Sequence, residues 1–567
     1  MGDGWLDGAM GLRDGRARSV FGLPGVWLAL GILGAVVVAG SYVIYHPHPA
    51  NYGGLFLDVI ESISRDFRYP DRVPNYTNGG IPWAYPPLIF YLDAVALRIL
   101  PVSGMDMARV MPAAVWTVSI VPYFALARTM LDDERAAGIA AFIYAVTPAA
   151  YEWIITGGGV IRAPALVLAL SALYSGVRLF RDGGRRWLVT STVLFGLTLL
   201  SHPVMAFGVG ISHLYFFVAY SRSPAGLLRG VVVAAGGLVV TSPWLLAVIS
   251  NHGLDPFVSV LGTAGGGYGV NAISPDIWDP FGRFLALYYV FAVLGAALQS
   301  ARRDFVVVGW VPVLLLSLTH LVLWFVPAAM LAAVFVVDFV DLLGDELSPG
   351  GLPTRRQVEG VVVLSLLVYG LVSGGIYAAG FPAMDRATPM RGTMDDGDVQ
   401  AMHWIERETS PDATVAVVGR EGEWLPYLTN RTSTFAWWGL EWGDPDRRLA
   451  LKRLYSRSLD CQQAACFARV LSDSNRRIDY LYVSRDRVTP IWPDWGTITE
   501  SLVESGNFTV VYETDSAIVV RYANATVDSV DPEAVVRSSD RDTTPRAVGT
   551  PPMGDRAGQT VTGRSQD

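Results

Sequence analysis

Lysine is almost missing from this chain. Lys452 is the sole lysine among 43 basic residues, so arginine carries the positive charge. Charge of either sign is scarce: 17% of the 567 residues are charged, where a soluble protein carries about 25%. Cysteine is limited to Cys461 and Cys466, too little for a four-ligand zinc framework. No Walker motif occurs, which excludes an ATP-driven pump. A net charge of -8 leaves no basic surface suited to nucleic acid, and no nucleic-acid partner is expected.

What remains is apolar. Hydrophobic residues make up 51% of the chain, and mean hydropathy is +0.36. The excess is concentrated from Phe21 to Gly380, where one apolar run follows another. A spanning helix needs about 20 such residues. Runs begin near Phe21, Arg109, Ala136, Ala163, Trp187, Pro203, Gly230, Phe284, Phe305, Leu321 and Gly360. No convincing small-residue cleavage site follows the first, so it reads as an uncleaved span. The stretch from Pro86 to Leu100 is short and holds Asp93 and Arg98. If it does not cross, Arg128, Arg135, Arg181, Arg185, Arg186, Arg222, Arg229, Arg302, Arg303, Arg355 and Arg356 all face the side of the N-terminal arginines. The positive-inside rule favours that arrangement. The expected fold is an all-α polytopic membrane bundle of about eleven spans plus a re-entrant or interfacial helix. A cytoplasmic N-terminal tail covers 1–20 and the bundle 21–380, with the chain beyond it extracytoplasmic. The glycosylation sequons at Asn75, Asn430, Asn507 and Asn524 all fall outside in this scheme.

From 381 to 523 the composition is ordinary. Asp398 to Thr409 reads as a helix. Thr414 to Val418 and Asp479 to Ser484 read as strands, and Phe508 to Tyr512 with Ala517 to Tyr522 as a hairpin. A small extracytoplasmic α/β domain follows. Cys461 and Cys466 lie in it, where a disulfide is chemically permitted, and we expect one. Residues 524–567 lack periodicity and read as disordered.

Candidate chemistry gathers in the outer loops. Leu55, Phe56, Val59, Ile60, Ile63 and Phe67 fall at helical spacing, opposite Asp58, Glu61, Ser62 and Arg65. This is an amphipathic helix in the membrane interface, with Asp58 and Glu61 on one polar surface. A solvated face with Glu61 paired to Arg65 is the plainer reading. The next outer loop, YEWIITGGGVIRAPA, sets Glu152 and Arg162 around three glycines. His202 and His320 map to outer helix mouths, and with Arg109 and Arg162 they could form a cationic pocket. Histidine at a helix end is more often a cap.

A basic N-terminus, one span, an acidic outer loop, YPPL before a short helix, and an arginine opening the next span form a pattern. It resembles the GT-C superfamily of membrane glycosyltransferases, such as protein O-mannosyltransferases and lipid A aminoarabinose transferases. The resemblance covers about Phe21 to Gly380. It implies a polyprenyl-phosphate sugar as donor and transfer on the non-cytoplasmic face of a cell membrane. It implies a catalytic carboxylate in the first outer loop and a second acid from the next, so Asp58 and Glu152 hold comparable places. The nearest pair to Asp58 is Glu61, and no acids are adjacent. FAWWGLEW near Trp437 lacks the Asp-Tyr-Gly continuation of the oligosaccharyltransferase motif.

Such transfer needs a base for the acceptor hydroxyl and cations for the phosphate. Asp58 is the expected base, with Glu61 beside it; Arg109, Arg162, His202 and His320 are the expected substrate-binding residues. Alternatively Asp58 and Glu152 share a divalent metal ion, which prefers oxygen ligands. Two rival readings stand. A non-catalytic envelope protein of the same fold would explain the lack of an adjacent acidic pair. A transporter or flippase would suit the span count, but no mid-membrane acids or inverted repeats are visible.

Overall fold

A computed structural model of the chain describes residues 25–259, 286–316, 321–347, 355–380, 394–437, 439–485 and 495–523. The expected tails at 1–20 and 524–567, and His320, lie outside the described residues.

Ten helices precede residue 253: α1 (Val26–Tyr45), α2 (Gly54–Asp66), α3 (Leu88–Ile99), α4 (Gly104–Leu131), α5 (Glu134–Val146), α6 (Pro148–Ile155), α7 (Gly159–Arg181), α8 (Arg185–Leu199), α9 (Pro203–Tyr220) and α10 (Pro224–His252). Four further bundle helices run Ala286–Ala301, Val306–Leu316, Leu321–Leu347 and Arg355–Ala378. Among the described residues seven helices are long and apolar enough to cross a membrane, or eight if α5 and α6 form one bent span. The bend of 54° has a local cause. Pro148 lacks an amide hydrogen and forces Thr147 into extended backbone.

Each of the eleven expected spans has a helix. α8 has 15 residues, about 22 Å at 1.5 Å per residue, and Ala286–Ala301 and Val306–Leu316 each adjoin residues outside the described ones. α3 has 12 residues, about 18 Å, short of the ~30 Å of hydrocarbon. It packs on α2 and α7.

Antiparallel helices bury one continuous apolar core. Tyr123 and Tyr144 stack with ring centroids 4.2 Å apart, and the Tyr123 hydroxyl donates to the Val326 carbonyl at 3.0 Å. The arginine-bearing turns meet acids at one end of the bundle. Arg135 binds Asp341 through both carboxylate oxygens at 2.9 Å, Arg181 meets Asp132 at 3.1 Å, and Arg302 meets Asp338 at 2.9 Å.

The first outer loop holds a small ladder of β1 (Arg72–Val73) with β2 (Ile81–Pro82). The C-terminal region forms a five-stranded sheet from β3 (Thr414–Val418), β4 (Thr432–Ser433), β5 (Tyr480–Ser484), β6 (Phe508–Glu513) and β7 (Ala517–Tyr522), in the order β4-β3-β5-β7-β6. β4 and β5 run parallel to β3, and β7 runs antiparallel to β5 and β6. Helix Asp396–Glu408 covers one face. The exposed edge of β4 is not left open: Tyr76 bridges to Ser433, and the Ser433 amide donates to the Asn75 carbonyl at 2.9 Å. Covering a sheet edge in this way removes a template for unwanted pairing. Cys461 and Cys466 are joined by a disulfide.

Candidate active site

The opposite end of the bundle brings together the helix ends that the sequence placed outside. The Gly157 amide donates to the Ala50 carbonyl at 2.7 Å, tying the α6–α7 turn to the chain after α1. The Leu88 amide donates to the Leu200 carbonyl at 2.9 Å, tying α3 to the end of α8. α2 lies across this end. Its apolar side, Leu55, Leu57, Val59, Ile60 and Ile63, is buried, as its spacing requires.

Asp58 is half-buried on the other side of α2. Burial pushes its carboxyl up to about 6, Arg65 draws it down and Glu61 pushes it up. No hydrogen-bond donor among the described residues reaches it. A carboxylate in this state is a usable base near neutral pH.

Glu61 is not paired as the plainer reading expected. Its Oε1 accepts from the Tyr427 hydroxyl at 2.6 Å, while Arg65 Nε donates to the Glu61 main-chain carbonyl at 3.3 Å. The partner comes from the C-terminal region, which the local charge pattern could not reveal.

Arg162 opens α7. Its Nη1 donates to the Trp153 carbonyl at 2.9 Å, and its guanidinium lies 4.9 Å from the Trp153 ring centroid. Gly158 makes this possible, since a Cβ there would stand 2.5 Å from Arg162 Nη2. His202 caps α9 through Nδ1, accepting from the Met205 amide at 3.4 Å, and its ring sits 6.0 Å from that of Tyr85. Tyr85 also feels the charge of Arg162, so Arg162 and His202 share this neighbour. Tyr85 belongs to an aromatic cluster with Trp83, Phe56, Phe90 and Trp442.

Two expected members make contacts of their own. Arg109 Nη1 donates to the carbonyls of Val43 and His46 at 3.3 Å each, so it caps the C-terminal end of α1. Glu152 accepts from the Tyr377 hydroxyl at 3.0 Å, while Asp58 neighbours Glu61, Arg65 and Tyr76. Among the described residues no group of three His, Cys, Asp or Glu side chains could hold a metal ion.

The C-terminal region contributes acids that sequence reasoning missed. Glu423 is 3% exposed and its Oε2 has no hydrogen-bond partner. Burial pushes its carboxyl up to about 8, against the pull of Arg162 and of a hydrogen bond from the Leu55 amide, with Glu441 pushing it further up. The available signal was GREGEW, two acids directly after a wholly apolar strand.

Residues 84–246 match the family described as dolichyl-phosphate-mannose-protein mannosyltransferase. No curated protein is significantly similar in sequence. Among solved structures, the chain is similar to the archaeal oligosaccharyltransferase AglB from Archaeoglobus fulgidus in complex with an inhibitory peptide and a dolichol-phosphate. That match has 14% identity and a TM-score of 0.52, and covers 81% of this chain and 69% of that one. A second structure of the Archaeoglobus fulgidus oligosaccharyltransferase, in complex with Zn and sulfate, matches with 14% identity and a TM-score of 0.52, over 81% of this chain and 68% of that one. ArnT from Cupriavidus metallidurans in the apo state matches with 14% identity and a TM-score of 0.50, over 87% of this chain and 97% of that one. With its run of apolar helices and small C-terminal sheet, this chain is a multi-pass membrane protein with the fold of the GT-C glycosyltransferases.

Proposed function

We propose that the protein is a glycosyltransferase that moves a sugar from a polyprenyl-phosphate donor to an acceptor on the non-cytoplasmic face of a cell membrane. The observation that carries this reading is Asp58. It is a half-buried carboxylate without hydrogen-bond donors, raised to about 6, on an amphipathic helix laid across the outer helix ends. The match over 84–246 to a dolichyl-phosphate-mannose family supports the donor class. Asp58 takes the proton of the acceptor hydroxyl as its oxygen attacks the sugar's anomeric carbon. The bond to phosphate oxygen breaks and the polyprenyl phosphate leaves as an anion. Arg162, at the mouth of α7, holds that phosphate through charge-assisted hydrogen bonds, and His202 lines the same corner beside Tyr85. The N-terminus is cytoplasmic and the C-terminal sheet extracytoplasmic.

The test is transfer of radiolabelled sugar from polyprenyl-phosphate donors to total membrane acceptors. Asp58→Asn lowers the rate by ~10²–10⁴-fold, the usual contribution of a general base. Wild-type rates in Asp58→Asn defeat the assignment. Absence of transfer by the wild-type protein with every donor leaves the non-catalytic envelope reading in its place.

A further inference from the structure

The helix that carries Asp58 is gripped from above. The segment Arg420–Thr429, a 3-10 turn running into helix Trp424–Thr429, lies directly on α2. Gly54 admits it: a Cβ at that position would stand 2.5 Å from the Glu423 carbonyl oxygen and 2.8 Å from Trp424 Cα. The Trp424 indole donates to the Asn51 carbonyl at 2.9 Å, just before α2 begins. The Tyr76 hydroxyl donates to the Glu423 carbonyl at 3.0 Å.

Two side chains from this segment then hold α2 itself. The Leu55 amide, one of the first-turn amides that have no partner within a helix, lies near enough to the Glu423 carboxyl to draw its pKa down. Gly53, the residue preceding the helix, offers no side-chain cap, so Glu423 meets this amide from more than 360 residues away. The Tyr427 hydroxyl binds Glu61 at 2.6 Å. Gly104, at the start of α4, leaves room for both groups; a Cβ there would press on the Tyr427 hydroxyl and on Glu61 Oε1. Leu55 lies three residues before Asp58 and Glu61 three after. On a helix those spacings put the two holds about one turn before and one turn after Asp58. The two holds therefore flank Asp58 and leave its own carboxylate unengaged.

We propose that Glu423 and Tyr427 are positioning residues: the C-terminal sheet domain clamps α2 at Leu55 and Glu61 so that Asp58 is held at a fixed depth and rotation toward the acceptor. The proposal rests on the reading of Asp58 as the base. The Tyr427 hold acts on the chemical step, since its partner is Glu61; Glu423 also feels the charge of Arg162, so the split between kcat and KM is read from Tyr427→Phe. Misplacement of a base by about 1 Å costs on the order of 10²-fold in rate.

The experiment uses the full-length protein in lipid nanodiscs, as wild type, Tyr427→Phe, Glu423→Ala, Glu423→Gln and Asp58→Asn. Amide hydrogen exchange is followed across residues 55–66, with kcat and KM for a polyprenyl-phosphate sugar. Tyr427→Phe keeps the ring and removes one oxygen, so it tests the clamp even if Glu423→Ala fails to fold. Glu423→Gln keeps an acceptor for the Leu55 amide. Expected are exchange in α2 faster by roughly tenfold or more and kcat lower by ~10–10²-fold in Tyr427→Phe and Glu423→Ala. KM stays unchanged in Tyr427→Phe, and Glu423→Gln stays near wild type. Unchanged exchange in α2 overturns the clamp, and so does faster exchange with an unaltered kcat. Asp58→Asn separates the two failures: full transfer in that variant removes the base assignment, while exchange in the other variants still decides whether α2 is held.

Discussion

The acidity of Asp58 gives the most searching test of its role. With its carboxyl raised to about 6, Asp58 is roughly nine-tenths ionised at pH 7 and one-tenth at pH 5. A base works only when ionised, so kcat/KM falls about tenfold between those values. The sugar donor is a phosphodiester and keeps its charge throughout this window. Two neighbours set the position of the limb in opposite directions: Arg65 lowers the pKa and Glu61 raises it. Glu61 lies one helical turn from Asp58, with Cβ atoms about 5–6 Å apart. Two charges ~6 Å apart repel by about 0.7 kcal/mol in water and about 2.8 kcal/mol at an effective dielectric constant of 20. That range corresponds to roughly half to two pH units. Glu61→Gln should therefore move the acid limb down by that amount and keep more of the rate at pH 5. Arg65→Gln should move it up, by less in high salt because Arg65 is exposed. The assay is kcat/KM from pH 4.5 to 8 at fixed ionic strength for the three proteins. Limbs that coincide, or that shift in the same direction, refute Asp58 as the group being read.

Arg162→Ala should raise KM for the donor by ~10–10²-fold with a smaller change in kcat, as loss of a charged hydrogen bond to phosphate does; an unchanged KM in the transfer assay removes Arg162 from the donor site. Glu423, raised from 4.5 to about 8, favours the folded state below pH 4.5 and withdraws that support as pH rises through 8. A shift of that size corresponds to about 5 kcal/mol at most. Glu423→Gln should therefore raise Tm relative to wild type at pH 9 and not at pH 4.5, and equal differences at both would contradict the buried carboxyl. Single cysteines at the exposed positions Arg68, Val102 and Asn507 should react with an impermeant thiol reagent from outside, and one at exposed Ala225 only after permeabilisation; labelling of Val102→Cys from inside alone would make α3 a crossing helix.

Local periodicity carried much of this fold into the sequence. The i, i+3, i+4 apolar spacing of Leu55 to Ile63 marks α2, and the short apolar run from Ala517 to Val520 marks β7. The shortness of α3 was visible because its apolar stretch runs only from Pro86 to Leu100 and contains Asp93 and Arg98. Hydropathy counts apolar residues and does not fix where a helix starts and stops, as for α8 from Arg185 to Leu199. Partnerships across the chain were hidden for a different reason. Glu61 has a basic residue four positions on, which satisfied the local rule, yet its hydrogen bond comes from Tyr427. Arg109 looked available for phosphate because nothing in sequence links it to the carbonyls of Val43 and His46. Glu423 and Tyr427 carry no motif at all. They matter only because the sheet domain sets their turn on Gly54.

The bridge between Tyr76 and Ser433 also has a meaning in time. Tyr76 leaves the ribosome some 360 residues before Ser433 does. At 5–20 residues per second, the first outer loop waits ~20–70 s for the strand edge that receives it. During that interval α2 lacks Tyr427, the partner of Glu61. Insertion of the bundle can thus be complete while α2 is still without that contact, and a nascent chain truncated before the sheet domain would reach the membrane with Asp58 on a helix that lacks it.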